Sequence, residues 1–222
     1  MSAPETGERL VCETVSTPAR RTPLVTRMLA WSGADALRLE AARVVLGQRS
    51  MRAGGSMVSA PQEGIEAYSA AYSLATDEAG VVQRLTVRTI RARGEQSVSL
   101  TRSEEGIWLV DRVGQDASTV RTNFSGALDV DLAFSPLFNA LPVRRLGLHR
   151  AAAQHDPSMQ HDLPVVFVSL PGLEVCCVRQ TYRTVAVEET TVVSFATDGF
   201  TAELTVDTDG LVLDYPGLAL RT

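Results

Sequence analysis

The chain has 222 residues, of which 45% are hydrophobic and 21% charged, a globular balance that excludes a disordered chain. Its formal net charge is −5, so there is no global basic field and general nucleic-acid binding is excluded. Every basic residue is Arg, which removes Schiff-base chemistry, a lysine base and a Walker A loop from consideration.

Residues 1–24 carry Pro4, Pro18 and Pro23 among Ser, Thr and Glu and read as a mobile tail before one ordered domain over 25–222. The tail lacks a basic start followed by a long apolar core, so a secretory signal is not expected and the cytoplasm is. No run approaches ~20 apolar residues, and no membrane-spanning helix is expected. Cys12, Cys176 and Cys177 are odd in number and irregular in spacing. They are not a disulfide framework and read as buried free thiols in a reducing compartment.

The stretch from Asp35 to Leu46 is ambiguous. Leu37, Ala41, Val44 and Val45 share a helical face, yet Leu37 and Leu39 alternate with Arg38 and Glu40 as in a strand. The glycine-rich RAGGS at 52–56 is expected to break what precedes it. From Glu66 the period is two. Tyr68, Ala70, Tyr72 and Leu74 share one face, and Leu85 and Val87 share another, opposite Arg84, Thr86 and Arg88. SVSLT and GIWLV follow, separated by a hairpin loop from Arg102 to Gly106. The C-terminal third continues with VVFVSL, LEVCCVRQTYRTV, TTVVSF and FTAELTV. Asp209-Gly210 then marks a sharp turn before LVLDY. No strand–helix–strand alternation occurs, which excludes a parallel Rossmann-type sheet. A mainly β fold follows, with a large antiparallel sheet closed or rolled to hide its edges.

Residues 125–150 break the pattern. In LDVDL, Asp129 and Asp131 fall on one strand face about 7 Å apart. Ser135-Pro136 resembles a helix cap followed by a first-turn proline. The helix expected within 135–148 carries Asn139, Pro142 as a kink or division, and Arg144 and Arg145 near its end. Two readings fit. Carboxylates, amide and arginines make a polar ligand site. Alternatively, Asp129 and Asp131 pair with Arg144 or Arg145 to fix the helix to the sheet.

DVDLAFSPLFNALPVRRLGL, the segment VVFVSLPGLEVCCVRQTYR and the ending FTAELTVDTDGLVLDYPGLALR resemble three motifs of a bacterial family named for glycolipid binding. Trp31, the Tyr-rich strand at 68–74 and Gly106-x-Trp108 sit in the matching order. The resemblance covers roughly 28–221. It implies a large antiparallel sheet wound around a single central α-helix, a spiral β-roll, and turns the ambiguous 35–46 stretch into strand. It also implies an amphiphilic small-molecule partner such as a glycolipid, held in a groove between sheet and helix. One departure is TDEAGVVQRL, where the family tends to place a tryptophan.

The candidate ligand-binding set is therefore Asp129, Asp131, Asn139, Arg144, Arg145, Gln180, Tyr182 and Tyr215. Sugars need planar donors and acceptors and an aromatic face, which this set supplies. Gln180 and Tyr182 also fit simple cross-strand pairing, and Tyr215-Pro216-Gly217 a turn packed on the core. Arg221 is expected to pair with a carboxylate or the terminus. Two competing functions are a structural or protein-interaction module and, on Asp129 and Asp131, a carboxylate-dependent glycosidase. His149, His155 and His161, spaced by six, read as part of a polar loop and not as a metal site. No cofactor and no catalytic residue is expected, and at most a second copy of the chain as protein partner.

Overall fold

A computed structural model describes residues 23–114, 117–150 and 159–222. Most of the expected N-terminal tail, with Cys12, and the His155 position lie outside the described residues.

Among the described residues, fifteen strands form one sheet. The first eight are β1 (Val25–Gly33), β2 (Arg38–Leu46), β3 (Met51–Ser59), β4 (Tyr68–Thr76), β5 (Val82–Arg91), β6 (Gly94–Arg102), β7 (Trp108–Val113) and β8 (Ser118–Thr122). After the odd segment come β9 (Asp129–Leu132), β10 (His161–Val168), β11 (Val175–Val187), β12 (Thr191–Thr197), β13 (Phe200–Val206), β14 (Val212–Tyr215) and β15 (Ala219–Arg221). Their spatial order is β8 through β1, then β15 back to β9. Every neighbouring pair is antiparallel except β9 with β10, which is parallel. The first and last strands meet at the centre, where Trp31 faces Arg221.

This order forces the sheet to roll. Laid flat, fifteen strands would span about 65 Å. Yet the outermost strands β8 and β9 are joined only by residues 123–128, a linker reaching at most about 25 Å. The two ends therefore come together. The Val82 N–H donates to the Leu128 carbonyl at 3.0 Å, and Trp108 Nε1 donates to the Ala127 carbonyl at 3.1 Å.

The roll is filled by the inward residues of each strand and by the odd segment. Pro136–Asn139 is a 3-10 turn and Ala140–Leu146 the α-helix α1, with Pro136 through Arg144 all buried. The expected division falls at Asn139/Ala140, ahead of Pro142. Within the first helical turn a proline loses no intrahelical hydrogen bond. Gly147, at φ 74°, ends α1 in the left-handed conformation, and its N–H bonds the Arg144 and Val143 carbonyls. Tyr68, Ala70, Tyr72 and Leu74 are buried as the alternation required, as are Leu85 and Val87.

Four expectations change. The alternation in β2 is right but its facing is inverted. Arg38 and Glu40 point inward while Leu37 is 84% exposed and Leu39 lies outside. Ala42, Val44 and Leu46 share parity with Glu40 and are buried; with a period of two they carry the two charges in with them. RAGGS does not break the sheet but lies within β3. Ser135 makes no cap hydrogen bond; its hydroxyl donates to Glu40 Oε1 at 2.6 Å. Cys176 and Cys177 are exposed rather than buried, because this part of β11 turns little of its surface to the core.

Candidate functional site

The odd segment crosses the roll between two polar clusters and one open pocket. The pocket holds about 390 Å³ and lies between the 131–139 segment and strands β10, β11, β12 and β14. Leu132, Phe134, Phe167, Val178, Phe195 and Leu218 give it apolar walls. Asp131, Ser135, Asn139 and Gln180 supply polar atoms, and Asp198 adds a second carboxylate from the β12–β13 turn. Among the described residues no cation lines it.

Four of the expected site residues form one hydrogen-bonded chain. Asn139 Nδ2 donates to the Tyr182 hydroxyl at 3.0 Å. That hydroxyl donates to Gln180 Oε1 at 3.0 Å. Gln180 Nε2 then donates to Asp131 Oδ2 at 2.7 Å. All three bonds run in the same sense and converge on the Asp131 carboxylate, so each polarises the next. Asp131 keeps part of its surface open to the pocket, yet burial pushes its carboxyl up to about 6, against the Gln180 and Leu132 hydrogen bonds. No arginine pairs with it among the described residues, which corrects that half of the expected Asp–Arg network. Tyr215 lines the same pocket and packs edge-on against Phe195 at 6.0 Å. Phe195 in turn lies 5.2 Å from the Tyr182 ring, so an aromatic wall backs the polar chain.

Asp129, Arg144 and Arg145 lie apart from the pocket lining. Asp129, 1% exposed, takes Arg145 Nη2 at 2.5 Å and Nε at 3.1 Å and 3.2 Å. Burial raises its carboxyl above the usual range, and Arg145 opposes the rise. Arg144 reaches neither aspartate. It donates to the Gly47 carbonyl at 2.8 Å and to the Asp209 carbonyl, clamping α1 to the β2–β3 and β13–β14 turns. Gly210 in the second turn has φ 77°, and a Cβ there would meet Arg144 Cγ at 2.9 Å. His149 packs beside this clamp, and burial pushes its imidazole down to about 4. Among the described residues no three His, Cys, Asp or Glu side chains converge as a metal site. Arg221 pairs with Asp207 at 2.6 Å.

The second cluster was missed by sequence reasoning. Glu40, 2% exposed, accepts from the Tyr72 hydroxyl at 2.5 Å and from Ser135 at 2.6 Å, both on Oε1. Burial pushes its carboxyl up to about 7 against those bonds and against the Arg38 charge. Tyr72 stands on β4, two strands away, and its ring crosses β3 directly over Gly55. A Cβ at Gly55 would collide with the phenol and sit 2.9 Å from the Ala41 carbonyl. Gly55 in RAGGS is thus explained by a neighbour's ring and not by a turn. The only sequence signal for this cluster is the parity shared by Glu40 with Ala42, Val44 and Leu46.

No curated protein matches the sequence. The fold matches a crystal structure of a DUF1089 family protein from Pseudomonas aeruginosa. The TM-score is 0.68 at 25% identity, covering 97% of this chain and 100% of that one. From residue 28 to residue 221, across the roll, the pocket and both polar clusters, the sequence fits the family described as "Putative glycolipid-binding", and the chain belongs to that family.

Proposed function

We propose that the protein binds a neutral amphiphile of glycolipid type, with the sugar at Asp131 and the start of the chain against the apolar walls of the pocket. The observation that carries this reading is the aligned Asn139–Tyr182–Gln180–Asp131 chain ending in a pocket of about 390 Å³. That volume lies within the range of small-molecule sites. Its amphiphilic lining suits a ligand with one polar and one apolar end. Asp131 and Asp198 without a lining cation disfavour an anionic head, since burying like charges together is costly. The family description supports a binding role.

Binding is preferred over hydrolysis because the two carboxylates first paired for a glycosidase are separated in role. Asp129 is closed into its Arg145 pair, so of those two only Asp131 faces the pocket, where the other lining carboxylate is Asp198 on the β12–β13 turn. The test is calorimetric titration with octyl β-glucoside, dodecyl β-glucoside and dodecyl sulfate. Affinity should rise with chain length among the glucosides, fall in Asp131→Ala and be absent for the sulfate. Equal affinity for both chain lengths, preference for the sulfate, or release of glucose from either glucoside would overturn the reading.

One observation favours a second reading, an interaction module. Leu220, Leu39, Val58 and Ile90 lie outside on one cross-strand row, with only Ser32 and Ser69 between them. A partner protein or a second copy would cover that row. Val58→Asp would then abolish an association seen by sedimentation in the wild type, with glucoside binding absent throughout.

A further inference from the structure

Behind one wall of the pocket lies an incomplete polar site. Three pocket-lining residues touch it from the other side. Ser135 bonds Glu40 Oε1. The Leu218 carbonyl accepts from Arg38 Nη2 at 3.0 Å. The Phe134 ring lies 4.7 Å beneath the Arg38 guanidinium carbon. Arg38 is 5% exposed and Glu40 2%. Among the described residues each is left with one buried atom that has no hydrogen-bond partner, Arg38 Nη1 as donor and Glu40 Oε2 as acceptor. Unmet buried groups of this kind are costly and rare, and need an explanation.

The cover over them is strained. Phe134 has φ 67°, a region that favours glycine and in which a bulky side chain is an outlier. It occupies the third position of the Leu132–Ser135 turn, closed by the Ser135 N–H to the Leu132 carbonyl at 3.1 Å. Glycine is the ordinary residue there when φ is positive. Strain on a pocket-lining residue whose ring lies against the Arg38 guanidinium points to a cover that moves.

We propose that Arg38 and Glu40 form a second, deeper subsite of the pocket that takes an alcoholic hydroxyl of the bound ligand, with Phe134 as its cover. The chemistry selects the group. Above about pH 7, where the Glu40 carboxyl is ionised, a hydroxyl accepts from Arg38 Nη1 and donates to Glu40 Oε2 at once. A phosphate or carboxylate would satisfy Arg38 but meet the Glu40 carboxylate. An ammonium would satisfy Glu40 but meet the guanidinium. The subsite rests on the amphiphile-binding function proposed above and sharpens it, because it makes the head a polyol and not merely a neutral group.

The test is the crystal structure of Phe134→Gly with octyl β-glucoside, together with titration of the same glucoside into wild type, Phe134→Gly, Phe134→Gly/Glu40→Gln and Asp131→Ala. Glycine suits φ 67°, so the single variant should fold, and relief of the cover should tighten binding about five-fold or more. Adding Glu40→Gln puts an N–H where the hydroxyl must donate, and should remove that gain with a further loss of about ten-fold. In the crystal a glucose oxygen should lie within hydrogen-bond distance of both Arg38 Nη1 and Glu40 Oε2. A water alone between those atoms, with the sugar elsewhere in the pocket and binding still lost in Asp131→Ala, would overturn the subsite and leave the proposed amphiphile binding standing. No binding to any form would overturn both.

Discussion

Glu40→Gln should change how stability depends on pH, and the structure fixes the sign. Glu40 titrates at about 7 in the fold against 4.5 when solvated, through burial opposed by Ser135, Tyr72 and Arg38. Between those values the folded chain holds a proton that the unfolded chain releases. Stability from this group is therefore complete below 4.5 and is lost as pH rises towards 7. A shift from 4.5 to about 7 corresponds to about 3 kcal/mol. Wild-type measurements alone would hide it. His149 is pushed down from 6.5 to about 4, so its contribution is lost as pH falls through the same window. Asp131 is unchanged between the two proteins, and Tyr68 and Tyr72, which face Glu40, have their phenols raised above 10. The quantity to read is thus the difference between variant and wild type, from urea unfolding at intervals between pH 4 and pH 8. It should move by about 3 kcal/mol in favour of the variant as pH rises. A difference constant to within about 0.5 kcal/mol would refute the assigned burial of the carboxylate.

Three further substitutions probe the packing. Gly55→Ala should cost about 1–3 kcal/mol, read as a lowered urea midpoint, because the new methyl meets the Tyr72 ring on its way to Glu40. Arg145→Met leaves Asp129 buried without its guanidinium partner and should cost about 3–5 kcal/mol at neutral pH. That loss should shrink in acid as the carboxyl protonates, and a loss independent of pH would count against the pairing. Tyr182→Phe keeps the ring contact with Phe195 but strands Asn139 and Gln180. It should cost about 2 kcal/mol and weaken glucoside binding, whereas unchanged affinity would mean that the chain does not orient Asp131.

Much of the architecture was legible because strands write their period directly. Tyr68 to Leu74, Leu85 and Val87 announced their faces, and LDVDL followed by Ser135-Pro136 marked where the sheet gives way to the buried helix. The illegible parts were decided by distant neighbours. Leu37 and Leu39 look like core until the parity of Val44 and Leu46 is counted. Gly54-Gly55 looks like a break until Tyr72, on the next strand, lies across Gly55. Ser135 looks like a cap until Glu40, 95 positions earlier, accepts its hydrogen bond. The site shows the same division. Spacing collected the right kinds of residue, but it could not say that Asp131 would take an amide partner while Asp129 took the arginine. Those choices depend on β11 lying beside β10, with Gln180 opposite Leu163, and on β10 lying beside β9.

The central claim is that the pocket bounded by Asp131, Val178 and Phe195 holds a neutral amphiphile. Native mass spectrometry of freshly purified protein, wild type beside Val178→Trp, tests it most directly. The wild type should carry an added mass that fragments into a sugar and an acyl or alkyl chain, and the indole that fills the pocket should remove it. A wild type with no added mass even after incubation with dodecyl β-glucoside, or an adduct that survives Val178→Trp in a folded protein, would contradict the claim.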